Sequence, residues 1–380
     1  MATQQKFAVD VSAMESLLLD VCEELQLEDS QYERAEGHYR AVGEFLGEKS
    51  GPFAALRPDI YPQGSVALQT AIKPVRDCEF DVDLVYEVNA GTLSPRDLYE
   101  RIYDRLTSSG TYRKMVERKE RCVRLNYAGE FHMDVLPAVR VSTGSDGSVL
   151  IVDPASPSRT GQSNPRGYQQ WFRARTAGLT LEAVRKMAAL PNNPDARERS
   201  VLGRTVQLIK RRRAIRYGDS DLAPRSVILT TLAAQLYAAE SNVFEALAAV
   251  VRGINDQIHA AAPGRITVVN PTNPEEHFTD RFTDASYASF AAFFRDLDRE
   301  VTAIGGLVMP QLGKDLAAMF GERETYEALR KRDARDIGTP RAQGLLRVAA
   351  QSGAVRLVTP TPHSAGSVGR PVRNNTFFGS

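Results

Sequence analysis

Residues 61 to 84 hold the groups of this chain best suited to do chemistry. Tyr61-Pro62-Gln63-Gly64-Ser65 reads as a strand end and turn whose backbone N–H groups and hydroxyl can meet phosphate oxygens, with Gln63, Gly64 and Ser65 as candidate contacts. Phe80-Asp81-Val82-Asp83-Leu84 reads as a strand, and side chains two apart on a strand share a face. Asp81 and Asp83 therefore project together, away from the apolar side formed by Phe80, Val82 and Leu84. Carboxylates that close repel each other, so the pair calls for a hard divalent cation such as Mg²⁺, which takes carboxylate and phosphate oxygens as ligands. An isolated Asp-x-Asp also suits a surface strand of alternating charge. Its apolar flanks argue for burial instead, where unpaired carboxylates are costly. A third strand acid, Asp134, follows within Phe131-His132-Met133-Asp134-Val135. Three carboxylates converging from two strands could hold two metal ions, one lowering the pKa of an attacking hydroxyl and one stabilising a leaving pyrophosphate. Asp81, Asp83 and Asp134 are thus the expected catalytic and metal-binding residues, with two Mg²⁺ ions as cofactor and Mn²⁺ as the alternative.

The elements that must position these groups follow from periodicity. Apolar residues at helical spacing predict two helices, or one broken helix, between residues 10 and 50. Residues 59–88 read as strand, turn with short helix, and strand; Ser94 and Pro95 then cap and open a helix to residue 106. Residues 121–127 and 130–138, joined by Ala128-Gly129, predict a hairpin that carries Asp134. Residues 143–167 are loop-like except for a short strand over 149–152. Helical patterns follow over 181–190, 199–217, 226–239, 243–260, 284–305 and 310–320. The expected class is α+β, divided into N-terminal helices with a catalytic lobe (1–165), a helical lobe (166–337) and a flexible tail (338–380).

Composition narrows the function classes. The 380 residues carry 48 Lys and Arg against 47 Asp and Glu, so the net charge of +1 provides no global field for a polyanion. A long RNA acceptor is disfavoured on the same ground. Three widely spaced cysteines, Cys22, Cys78 and Cys122, suit free thiols in a reducing compartment and give no zinc framework. No signal-like start and no run of eighteen apolar residues occurs, so a cytoplasmic protein without membrane contact is expected.

Together, Gly64-Ser65, Asp81, Asp83 and Asp134 resemble the polymerase-beta-like nucleotidyltransferase superfamily. The fuller strings from Gly64 to Pro74, Glu79 to Val85 and Phe131 to Ala138 are similar to the bacterial CD-NTases, relatives of cyclic GMP-AMP synthase and oligoadenylate synthase. Asn164 to Tyr168 with Trp171-Phe172, and Asn270 to Glu276, extend the likeness over roughly residues 10 to 320. The resemblance implies a two-lobed cage that binds nucleoside triphosphates (ATP, GTP or pyrimidine triphosphates) and joins them into a cyclic di- or oligonucleotide, a second messenger read by a downstream effector in antiphage signalling. It also implies that a lysine and a serine of the helical lobe grip the donor triphosphate; Lys210 and Ser226 match those positions. Alternatives for these two are a solvated helix face and a helix cap.

The relatives of cyclic GMP-AMP synthase use a Glu-x-Asp pair, and Glu79-Phe80-Asp81 fits that spacing as well. The apolar bracket around Asp81 and Asp83 favours those two, which leaves Glu79 at the mouth. His132 could orient Asp134 or be a structural histidine. Asn270 to Glu276 reads as a rigid turn whose asparagines cap neighbouring helices. Some CD-NTases end in a tail ligated to a target by ubiquitin-like machinery, and Phe377-Phe378 marks this tail as a recognition segment, though its terminal Ser380 departs from the expected glycine or alanine. Direct DNA sensing is not expected. Two other functions compete with cyclic-nucleotide synthesis: nucleotide transfer to an RNA, protein or small-molecule acceptor, and nucleotide binding without catalysis.

Overall fold

The computed structural model describes residues 11–48, 51–75, 79–89, 91, 93–141, 147–153, 160–177, 199–305, 307, 309–338, 346–348, 355–357 and 370–371. Two helices open the chain, α1 (Val11–Glu24) and α2 (Asp29–Leu46). A mixed sheet follows, built from β1 (Asp59–Gln63), β2 (Phe80–Val88), β3 (Val116–Arg118), β4 (Val123–Tyr127), β5 (Phe131–Arg140), β6 (Val149–Val152) and β7 (Thr160–Ser163), with the four-residue α3 (Gly64–Ala67) after β1 and α4 (Pro95–Ser108) after β2. Its order is β1-β2-β5-β4-β3, and β6 continues from the far end of β5 to β7. Only β2 and β5 run parallel.

Alternation in β2 sends Phe80, Val82, Leu84, Tyr86 and Val88 into a core shared with α2 and α4. The opposite face carries Asp81 and Asp83 and then Val85, which packs in a smaller cluster with Tyr61, Leu136, Ala138, Val149 and Ile151. α4 starts where its sequence predicts: Ser94 Oγ accepts from Asp97 N at 3.1 Å, Asp97 returns the contact, and Pro95 sits in the first turn.

The second lobe contains α5 (Pro165–Ala177), α6 (Val201–Tyr217), α7 (Ser226–Leu236), α8 (Val243–Ala261), α9 (Asp284–Ile304), α10 (Met309–Phe320) and α11 (Glu322–Asp333). Its core takes in Met14, Leu17, Leu18, Val21 and Leu25 of α1, so the first helix packs with the helical lobe and the second with the sheet. α11 was not expected, because its sequence is strongly charged and only Thr325 and Ala328 are buried. The helix expected over 181–190 lies outside the described residues.

Asn270 to Glu276 differs from expectation. It forms a two-stranded ribbon, β8 (Val269–Asn270) with β9 (Asn273–His277), and its asparagines cap no helix. Asn270 Oδ1 instead closes the ribbon's own turn by accepting from Thr272 N and Oγ1, while its amide donates to Glu276 at 2.8 Å. In the tail, β10 (Leu346–Val348), β11 (Val355–Leu357) and β12 (Arg370–Pro371) form a small antiparallel sheet where no regular element was expected. Phe377, Phe378 and Ser380 lie outside the described residues. Among the described residues no helix is long and apolar enough to cross a membrane.

Candidate active site

Parallel pairing of β2 with β5 is in register, so Asp83 lies beside Asp134 and Asp81 beside His132. On the other side β1 sets Gln63 opposite Asp83. The chain then turns at Gly64 with φ of +66°, and a Cβ there would stand 1.9 Å from Asp83 Oδ2. Glycine is required twice over, by the left-handed backbone and by the carboxylate against it.

Asp83 is pushed up to about 7, first by burial and then by the charges of Asp81 and Asp134. Asp81 is also raised, chiefly by desolvation within the cleft, with Arg124 pulling it back and Asp134 adding to the rise. Arg124 stands on β4 opposite Asp134. Its Nε donates to Asp134 Oδ1 at 2.7 Å, and its Nη2 donates to Asp134 Oδ2 at 2.8 Å and to Asp81 Oδ1 at 3.2 Å. Sequence reasoning passed over this arginine.

Glu79 turns away from the three aspartates. Its Oε1 accepts from Gly129 N at 2.7 Å and its Oε2 lies 3.0 Å from His132 Nδ1. His132 is therefore a neighbour of Glu79, and the group that holds Asp134 is Arg124.

Lys210 is buried, so the solvated-face reading does not hold. Its Nζ donates to Thr70 Oγ1 at 2.9 Å, and burial lowers its pKa to about 8 against the opposing pull of Asp83. Ser226 is the first residue of α7; the cap position belongs to Arg225, and no side chain caps that end. Gln63, Gly64, Ser65, Asp81, Asp83, Asp134, Lys210 and Ser226 all line one cleft of about 850 Å³ between the lobes, a size suited to nucleotide-scale ligands. Arg121, Arg124 and Arg213 line it too, as do Thr70 and Glu276, which the sequence placed within the longer family-like strings without giving either a site role.

The donor set of three carboxylates fits a hard divalent cation. Among the described residues no three Asp, Glu, His or Cys side chains stand ready to hold a metal ion as placed. The guanidinium of Arg124 bridges Asp81 and Asp134, and Asp83 lies back against Gly64. With these side chains turned inward, Asp81, Asp83 and Asp134 could hold one.

Residues 13–175 match the Second Messenger Oligonucleotide or Dinucleotide Synthetase domain. Over 377 residues the chain is 32% identical to the c-di-GMP synthase of Roseivirga ehrenbergii, covering 96% of this chain and 97% of the relative. The chain belongs to the bacterial CD-NTase family. This CD-NTase is also 27% identical to the cyclic dinucleotide synthase CdnG of Bradyrhizobium diazoefficiens over 342 residues, covering 82% of this chain and 81% of that one. The structure of that CdnG in complex with GTP superimposes with a TM-score of 0.68 at 25% identity, over 84% of this chain and 99% of CdnG. The apo structure of Vibrio cholerae DncV shares the fold, with a TM-score of 0.52 at 15% identity over 82% of this chain and 81% of DncV. The α+β polymerase-beta-like fold with a helical lobe is thus shared across the family. This CD-NTase is accordingly a cyclic oligonucleotide synthase, a nucleotidyltransferase that releases pyrophosphate.

Proposed function

We propose that this CD-NTase makes a guanine-containing cyclic dinucleotide, c-di-GMP foremost, by two successive metal-dependent nucleotidyl transfers, and that the product is a second messenger in antiphage signalling. The observation that carries this reading is the convergence of Asp81, Asp83 and Asp134 with Gly64-Ser65 in one cleft that Lys210 and Ser226 of the helical lobe also line. The choice of guanine is supported by the relative named c-di-GMP synthase and by the GTP-bound CdnG structure.

In each transfer a ribose hydroxyl of one nucleotide attacks the α-phosphorus of another, the bond to the β-phosphate oxygen breaks, and pyrophosphate departs. Asp81, Asp83 and Asp134 would hold two Mg²⁺ ions, which supply activation of the hydroxyl and neutralisation of the leaving group. The turn at Gly64-Ser65 offers its backbone N–H groups and the Ser65 hydroxyl to the donor phosphates. Lys210, fixed by Thr70, places an ammonium against the same triphosphate, and Ser226 adds a hydroxyl from α7. A second transfer within the linear intermediate closes the ring. Ligation of the tail by ubiquitin-like machinery remains a separate proposal, read by intact mass after co-expression with a candidate ligase.

The test is incubation of purified protein with each α-labelled triphosphate and Mg²⁺, then phosphatase digestion and chromatography. Phosphatase-resistant product from GTP alone is expected, and product that also needs a second base would replace the guanine-only assignment. Label transferred to RNA, protein or a small acceptor, with no resistant nucleotide, would overturn cyclic-nucleotide synthesis in favour of the alternative acceptor chemistry.

A further inference from the structure

Arg124 stands where a cation would sit. Its planar fork meets both oxygens of Asp134 at 2.7 and 2.8 Å and reaches Asp81 at 3.2 Å, so one guanidinium neutralises two of the three acids. The third, Asp83, does not share in this contact. It rests against the Gly64 backbone with its carboxyl crowded by the other two. The arginine side chain is largely shielded from water, at 19% exposure, whereas Asp81 is 55% exposed to the cleft. An ion entering from the cleft thus meets Asp81 first and finds the Asp134 oxygens already taken.

Granting the metal reading of the three acids, on which this rests, we infer that Arg124 is a displaceable counter-cation: it holds Asp81 and Asp134 together in the metal-free enzyme, competes with the divalent ion for them, and must release them for the catalytic ions to bind. Three facts of the geometry support a purpose-built competitor. The contact to Asp134 is bidentate and serves a carboxylate that is itself only 15% exposed, so an ion arriving there has to replace the pairing this shielded acid depends on. It is fixed by strand register, since Arg124 and Asp134 are cross-strand partners in β4 and β5. It spans two strands to Asp81, so one side chain occupies oxygens of both acids at once. Binding of the ion therefore carries the cost of breaking this fork, and a free guanidinium then remains in the cleft, where the arriving triphosphates provide the next anions.

The test measures metal binding without turnover. Mn²⁺ alone is titrated into full-length protein and the free ion followed by electron paramagnetic resonance, for wild type, Arg124→Met, Arg124→Lys and Asp83→Asn. Arg124→Met should bind Mn²⁺ at least about tenfold more tightly than wild type, because a charge in contact with the ligands no longer opposes the ion. Arg124→Lys, which keeps the charge and loses the fork, should fall between them. Thermal unfolding provides a second reading: metal-free Arg124→Met should melt below wild type, and saturating Mn²⁺ should close the gap. If Arg124→Met aggregates without metal, the affinity of Arg124→Lys decides. Equal or weaker Mn²⁺ affinity in the arginine variants, or a melting deficit that Mn²⁺ leaves unchanged, would make Arg124 a structural strut and overturn the inference alone. Wild-type binding that Asp83→Asn does not weaken would overturn the metal reading, and this inference with it.

Discussion

At the scale of single residues the site is a problem of crowded negative charge. Asp83 sits beside Asp134 in register and within reach of the charge of Asp81; burial first, and those two charges after it, push its carboxyl up to about 7. A carboxyl whose folded pKa lies above its unfolded value binds more protons folded than unfolded, so its ionisation costs stability as pH rises from about 4 to 7. The metal-free Asp83→Asn variant should therefore be more stable than wild type at pH 8, by more than about 1 kcal/mol, and the advantage should vanish near pH 4. Urea titrations in chelator at both pH values check this. Gly64→Ala should do the reverse, because its Cβ would enter the Asp83 carboxylate and the left-handed φ disfavours any side chain. Loss of at least about 100-fold in turnover (about 2.7 kcal/mol), with a lower melting temperature, is the expected result of paired kinetic and melting measurements.

At the scale of elements, strand alternation around Asp81 and Asp83 was legible, since five apolar residues at every second position demand one buried face. The capped start of α4 was legible for the same kind of local reason. Ser94→Ala should cost about 1 kcal/mol of stability and leave turnover unchanged, as measured by denaturant melts and initial rates. Arg124 was missed because its role depends on hairpin register. A two-residue turn at Ala128-Gly129 would pair Arg124 with Met133, whereas the observed pairing of Tyr127 with Phe131 makes the connection three residues, with Gly129 at φ of +78°, and brings Arg124 to Asp134. One residue of loop length decides which side chain meets the acid. Asn270 was misread for a related reason: its amide serves whichever turn is nearest, and the sequence does not reveal the ribbon partner supplied by residues 273–277.

At the scale of the whole molecule, two cores flank one cleft and α6 ties them together. Gln207 donates to Ala71 O, Lys210 to Thr70, and Arg211 to the carbonyls of Lys73 and Phe320 while it pairs with Glu324 at 2.7 Å. These buried contacts hold the segment after α3 along the cleft, so of the cationic run 210–213 that looks like a solvated face in sequence, Lys210 and Arg211 are buried and Arg212 and Arg213 half-buried. Arg211→Ala, which strands Glu324 without its partner, should destabilise the protein by about 3–5 kcal/mol, seen as a large fall in the unfolding midpoint. Long-range pairing of this kind is invisible to local pattern, which is why the lobes were legible and the wiring between them was not. The central claim is that the acids of β2 run the chemistry of that cleft. Its most direct test compares wild type with Asp81→Ala/Asp83→Ala, using labelled GTP and Mg²⁺, phosphatase treatment and chromatography, after circular dichroism has established that both proteins are folded. The account predicts resistant cyclic product from wild type and none from the folded double variant; full product from that variant would contradict it.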